Sequence, residues 1–416
     1  MLRQELKKLV VYGFFLAILI IPMVGFKSTT FDPGRAFKVL GIFMAILVIN
    51  LVVKTIRSRK KEQADVQKTP FTERVAEQID RFPKIFTIGG LLAVAVIFPM
   101  FADNYMIDVA ITCLIYVCLG LGLNIVVGLC GLLDLGYIAF YAVGAYTYSL
   151  LNLTFGISFW AALPIGIVLG MVVGCIIGYP TLKMRGDYLA IVTLGFGEIV
   201  RLVLNNWDSL TAGPNGLFGM KRPALYYPSF TDDGFAWAAY YLKSLPALYY
   251  CILIIAIFTI IGVRRLDNSR IGRAWIAIRE DEVAAELSGV PTTWIKLLAY
   301  ALGAAFASVA GAFFAAKLSY TNPNFFLFME SAIVLCVVVL GGVGSIPGIV
   351  IAGFVLIGAP EVFRGLENFR MLAFGAIMTT MMIIKPEGLI PASRRRRELH
   401  ESEDIKPEPG QAGIED

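Results

Sequence analysis

Apolar runs long enough to cross a lipid bilayer recur along this chain, and they leave few folds open to it. A helix needs ~17–25 apolar residues to span the bilayer core. A transmembrane barrel would show alternating segments of ~10 residues instead. The 416 residues are 57% hydrophobic and only 16% charged, whereas soluble chains carry about a quarter charged residues. The fold class is therefore all-α, a polytopic transmembrane helical bundle. Spans are expected at 10–26, 37–53, 85–101, 107–127, 133–153, 158–180, 188–204, 246–263, 293–318, 327–343, 346–360 and 369–385, about twelve in all. The first follows Arg3, Lys7 and Lys8, and no small-residue cleavage site succeeds it, so it reads as a retained helix rather than a signal peptide. Three spans depart from the pattern. The span 188–204 carries Glu198 and Arg201, while 327–343 and 346–360 are short and share the turn LGGVGSIPG, Leu340–Gly348. These are candidates for broken or re-entrant helices, which membranes admit only where the backbone is buried or lines a cavity.

Positive charge fixes the expected orientation. It clusters in 54–84, in Lys183 and Arg185, in Arg264–Arg279 and in Arg394–Arg397. With about twelve spans these regions share one side with both termini, and the excess of Lys and Arg makes that side the cytoplasm. Three parts follow. Residues 1–84 form an N-terminal extension of two helices, a charged linker and an interfacial helix over Pro70–Lys84. Residues 85–391 form the main membrane domain. Residues 392–416, acidic from Glu398 onward and there without apolar periodicity, form a disordered cytoplasmic tail.

Chemistry in the membrane is restricted by what is missing. The single histidine, His400, lies in the tail, and the six cysteines have no metal-like spacing, so they read as buried thiols. No G-x-x-x-x-G-K-[ST] occurs, so any ATP and Mg must be bound by partner subunits and this chain needs no cofactor of its own. Glycines within apolar spans, such as Gly166-Gly170-Gly174, read as helix-packing positions.

Ionisable residues at membrane depth are costly and face the bundle interior or a water-filled path. Asp134, Glu198, Arg201 and Glu330 are accordingly the candidates for a translocation pathway. Glu198 and Arg201, three apart on one helix, are read first as an ion pair. The loop 205–245, with the turn Thr211–Gly216, is expected on the outer side.

The segment RIGRAWIAIREDEVAAELSGVP, Arg270–Pro291, is a charged island between apolar spans. Ile271, Trp275, Ile278 and Ala285 recur at helical spacing, and Gly289 then Pro291 form a stop signal. By pattern alone it is either a surface-lying connector or a helix that docks a partner protein.

The runs GYPTLKMRGDYLAIVTLGFGEIVRLVLNN (Gly178–Asn206), TAGPNG, REDEVAAELSGV, Ala304–Ser345 and KPEGLIP (Lys385–Pro391) resemble the LivM-type permeases of branched-chain amino acid ABC importers. The likeness covers roughly Met106–Pro391, and residues 1–84 are similar to the N-terminal extension of Gram-negative members. The resemblance implies an inner-membrane permease that is not itself an enzyme. Its implied partners are a LivH-like sister permease, two ABC ATPase subunits and a periplasmic amino-acid-binding protein. It also implies that the island is the ATPase-coupling segment, with Arg279, Glu280, Asp281, Glu282, Glu286 and Gly289 at the contact. The family pattern Glu-Ala-Ala is here Ala-Ala-Glu. A permease for urea, amides or other amino acids, or a stand-alone secondary transporter, remains compatible with the residues.

Overall fold

The computed structural model describes residues 26–27, 30–31, 84–182, 184, 186–231, 234–242, 244–362, 375, 379 and 388–390. The spans expected at 10–26, 37–53 and 369–385 fall almost wholly outside these residues, as do the interfacial helix before Lys84 and the tail from 392. The chain divides into two compact units, Met1–Ala93 and Val94–Asp416. The first contains the antiparallel pair β1 (Phe26–Lys27) and β2 (Thr30–Phe31). Helix α1 (Lys84–Phe101) runs across the division.

The described residues of the second unit are mostly helical. Its elements are α2 (Asn104–Leu123), which continues as a π-helical turn over Asn124–Leu129, then α3 (Ile138–Phe155), α4 (Phe159–Thr181), α5 (Asp187–Asn206) and the short α6 (Asp208–Thr211). After β3 (Leu217–Phe218), β4 (Ala224–Thr231) and β5 (Gly234–Tyr241) come α7 (Leu245–Asp267), α8 (Arg270–Glu280), α9 (Glu282–Leu287) and α10 (Thr292–Leu318). The unit continues with β6 (Tyr320–Thr321), α11 (Phe328–Gly341) and α12 (Ile346–Val362). All nine expected spans within the described residues are helices, and six helical segments are long and apolar enough to cross a membrane on their own.

Helices α2 and α10 form the centre, and α3, α4, α7, α11 and α12 pack around them. Small residues permit the close approach. A Cβ on Gly311 of α10 would lie 2.0 Å from Tyr141 O of α3, and one on Gly144 of α3 would lie 2.0 Å from Ser308 O of α10. The glycine stripe of α4 meets α10 in the same way at Gly170 and Gly174, but Gly166 faces open space. Packing, not ligand binding, accounts for that stripe at two of its three positions.

The structure departs from expectation in three places. The loop 205–245 contains a β-hairpin, with Ala224 opposite Tyr241 and Thr231 opposite Gly234. Two aromatic-rich eight-residue runs flank Asp232-Asp233, a turn signal between strand-forming residues. The island is two helices rather than one. Asp281 breaks it in an extended conformation (φ −152°, ψ 112°), and its carboxylate caps α9 by accepting from Val283 N and Ala284 N at 2.8 and 3.0 Å.

The third departure concerns the span expected at 133–153, whose helix starts only at Ile138. The preceding Cys130–Tyr137 is non-helical yet lies inside the bundle, because Tyr137 Oη donates to Gly303 O in α10 at 2.9 Å and Leu135 N donates to Thr193 Oγ1 in α5 at 3.1 Å. Side chains satisfy its amides. Gly136 N donates to Asp134 Oδ1 at 2.8 Å, and the first amide of α3, Ile138 N, donates to Ser331 Oγ at 3.0 Å. This is how irregular backbone survives at membrane depth.

Candidate functional site

The island is seated on the ends of the two central helices. Its apolar stripe is buried as expected at Trp275, Ile278 and Ala285, with Ile271 partly buried. Ser269 caps α8 by accepting from Gly272 N at 3.2 Å. Helix α9 ends at Gly289 (φ +83°), where Val290 N donates to Ala285 O at 3.0 Å, so Gly289 supplies a left-handed turn that disfavours other residues.

Three bonds fasten the island inward. Trp275 Nε1 donates to Ile295 O at 2.7 Å, Lys296 Nζ pairs with Glu282 Oε1 at 2.5 Å, and Arg279 Nη1 donates to Gly128 O at 2.6 Å. The last bond reaches the π-helical turn of α2. Gly131 makes room for it, since a Cβ there would lie 2.8 Å from Arg279 Cγ. That turn is also held from the far side. Asn124, fully buried, accepts from Gly344 N at 2.9 Å in the turn between α11 and α12. Leu389 N and Ile390 N close the end of α11 by donating to Leu340 O and Gly341 O at 2.8 and 3.3 Å. The Gly-rich turn, residues 388–390, the π-helical turn and the island therefore converge on one end of the bundle. At 14 residues α11 itself is ~21 Å long, and it reaches membrane-spanning length only together with the 3-10 turn Pro323–Phe325 that precedes it.

Of the six residues expected at an ATPase contact, three are engaged within the chain: Arg279 with Gly128, Asp281 as a cap and Glu282 with Lys296. Glu280, Glu286 and Gly289 stand exposed. Beside them lie apolar residues that charge-based reasoning passed over. Val283 and Leu287 are exposed, Leu287 by 85%, and Trp294 at the start of α10 is 73% exposed. Their signal was the apolar side chains within an otherwise charged segment, on the side of α9 away from Ala285.

Of the four pathway candidates, only Glu198 and Arg201 are bonded to each other. Glu198 accepts from Arg201 Nε at 2.8 Å in the expected i,i+3 pair, both on α5. Asp134 is buried beside Thr193, and its Oδ2 has no hydrogen-bond partner. Glu330 Oε2 accepts from Tyr116 Oη across the α2–α11 contact. A charged pair that the sequence reading missed, Lys317 with Asp108, joins α10 to α2 at 2.8 Å. Ion-pair partners far apart in sequence leave no local spacing signal.

These features define a multi-pass helical membrane protein with a bulged central helix and a charged segment locked onto one end. The chain belongs to the family described as the permease component of branched-chain amino acid transport systems, whose model matches residues 105–385. It is 43% identical over 328 residues to the high-affinity branched-chain amino acid transport system permease protein LivM of Salmonella typhimurium, covering 76% of this chain and 77% of that protein. The corresponding LivM protein of Escherichia coli is also 43% identical, over 327 residues and the same shares. The LivH permease protein of Salmonella typhimurium is 23% identical over 290 residues, covering 66% of this chain and 91% of LivH. No solved structure matches the chain.

Proposed function

We propose that this chain is the membrane-spanning permease subunit of an ATP-driven importer of leucine, isoleucine and valine in the cell inner membrane. It pairs with a LivH-like sister permease, receives substrate from a periplasmic binding protein and is driven by two ATPase subunits that hold the ATP and Mg. The pathway alternates between outward and inward access, and no covalent chemistry occurs in the chain. About twelve spans place both termini in the cytoplasm, with 1–84 as an extension, 85–391 as the permease domain and 392–416 as a tail.

The observation that carries the coupling role is the two-sided build of the island. Inward it is fastened to Gly128 on α2 and to Ile295 and Lys296 on α10. Outward it offers Glu280 and Glu286 around exposed Val283 and Leu287, with exposed Trp294 beside them. A force applied there moves the central helices with it. The substrate class rests on the family and on the branched-chain amino acid transport for which its LivM relatives are named.

The test is uptake by liposomes holding the chain with its sister permease, ATPases and binding protein, comparing leucine, isoleucine, valine, alanine and urea. ATP-dependent uptake of the three branched amino acids is expected. Transport by the chain alone on an ion gradient would make it a secondary carrier, and preference for urea would move it to the amide permeases. Leu287→Glu with Glu286→Lys should release the ATPase subunits while leaving the chain folded. Full retention of the ATPases would sink the docking face.

A further inference from the structure

Helix α2 is buried along nearly its whole inner length. Between Ile107 and Val126 only Asp108, Val109, Thr112 and Tyr116 reach open space. Three of these four are polar, and Asp108, Thr112 and Tyr116 recur every four residues, so they form one line down the helix. A line of polar groups on a central helix does not suit contact with hydrocarbon, because ionisable and polar side chains at membrane depth face protein or water.

Two charged residues of opposite sign reach this line from neighbouring helices. Lys317 of α10, its side chain only 10% exposed, pairs with Asp108 at 2.8 Å and donates to Thr112 Oγ1 at 3.4 Å. Glu330 of α11 accepts from Tyr116 Oη. It stands in the first turn of α11, where the helix end favours a negative charge. Thr112 and Tyr116 are four residues apart, a rise of ~6 Å. The cation and the anion thus reach the same open line about one helical turn apart. The receptors for the ammonium and the carboxylate of one α-amino acid should stand roughly 6–8 Å apart, given the short N–Cα–C link and one hydrogen bond at each end. On α3 the ring of Tyr141 packs against those of Phe314 and Phe326, with centroids 5.4 Å away in each case, and of the three only Phe314 of α10 is left partly open.

We propose that this line is a binding site for an α-amino acid zwitterion, at the end of α2 away from the island. Lys317 takes the substrate carboxylate and Glu330 its ammonium, while the partly open Phe314, three residues before Lys317 on α10, meets the aliphatic side chain. Asp108, whose side chain is 48% exposed, holds Lys317 in the empty site and is released toward water when substrate arrives. The proposal rests on the reading of the chain as an amino acid permease.

The test uses the complete transporter in liposomes and reads KM for leucine uptake. Loss of one charge-assisted bond should raise KM about tenfold to a hundredfold, so Glu330→Gln and Lys317→Met should both do so. Asp108→Asn removes the group that substrate must displace from Lys317, so it should lower KM, by up to about threefold, rather than raise it. A purely structural ion pair predicts another pattern: Asp108→Asn would be as harmful as Lys317→Met, and the swap Asp108→Lys with Lys317→Asp would restore uptake. Either result, or an unchanged KM in Glu330→Gln, would overturn the site. If Lys317→Met fails to assemble, the isosteric Glu330→Gln decides. A wild-type complex that takes up no leucine would instead refute the underlying reading of the chain as an amino acid permease.

Discussion

Substituting alanine for glycine along the contacts of α10 should damage the protein in proportion to the space each glycine leaves. A Cβ at Gly311 would lie 2.0 Å from Tyr141 O and 2.9 Å from Ala145 N, both backbone atoms of α3. An ordinary carbon–oxygen approach is ~3.3–3.6 Å, so α3 would have to retreat by more than an ångström at the centre of the bundle. Overpacking of this kind costs about 1–3 kcal/mol, of which better helix propensity returns at most ~1 kcal/mol. Gly144→Ala meets Ser308 O at 2.0 Å and should behave alike. Gly170→Ala meets Ser308 Oγ at 2.0 Å, a side chain that can rotate, but only by giving up its 3.1 Å bond to Phe140 O. Its cost should be intermediate. Gly166→Ala meets nothing within 4 Å and should leave stability unchanged or slightly raised. The assay is the melting temperature of detergent-solubilised protein, followed as loss of the monodisperse peak after heating. The expected order of stability is Gly166→Ala at or above wild type, then Gly170→Ala, then Gly144→Ala and Gly311→Ala. A Gly311→Ala protein that melts with wild type, or a Gly166→Ala protein as damaged as Gly311→Ala, would refute the packing argument.

Three further outcomes follow from the island and its seat. Trp275→Phe keeps the ring buried but removes the indole donor to the Ile295 carbonyl, which keeps its helical bond, so it should cost about 0.5–1.5 kcal/mol in thermal stability and lower the uptake gained per ATP hydrolysed. Asn124→Ala strips the Gly344 amide of its acceptor at a buried position and should cost ~1–3 kcal/mol, read by the same melting assay. Glu282→Lys sets two positive charges against each other at Lys296 and should loosen the island, whereas Glu282→Lys with Lys296→Glu should recover ATPase retention in a pull-down. Failure of that swap to recover it would show that Glu282 meets the partner rather than Lys296.

How far the sequence disclosed this structure depended on whether the deciding interaction was local. Helical spans were legible because apolar runs of bilayer length have one low-energy backbone solution in lipid. The buried stripe of the island was legible because Trp275, Ile278 and Ala285 keep helical spacing. The Glu198–Arg201 pair was legible because three residues on one helix bring side chains together. The break at Asp281 was written in its side chain, but a strong apolar period across it concealed the cap. Cys130–Tyr137 was harder, since an apolar stretch at membrane depth looks helical until Thr193 and Ser331, from other helices, are seen to satisfy its amides. Lys317 with Asp108, and Tyr116 with Glu330, join positions hundreds of residues apart, and no period encodes them.

The placement of these long-range bonds gives the candidate site its mechanical sense. Helices α2 and α10 pack against each other through the bundle. At one end the island grips both, through Gly128 on α2 and through Ile295 and Lys296 on α10. Toward the other end the same helices supply Asp108, Thr112, Tyr116 and Lys317, and α11 adds Glu330. The grip on α2 falls on its π-helical turn, where the backbone carries an extra residue and the regular ladder is interrupted. A displacement of the island therefore acts on α10 through a continuous helix and on α2 through an irregular one. Two central helices pulled together but yielding unequally must slide past each other, and Lys317 and Thr112 stand across that sliding surface. Movement of the island should therefore shear the Lys317–Thr112 contact, which lies within the proposed amino acid site.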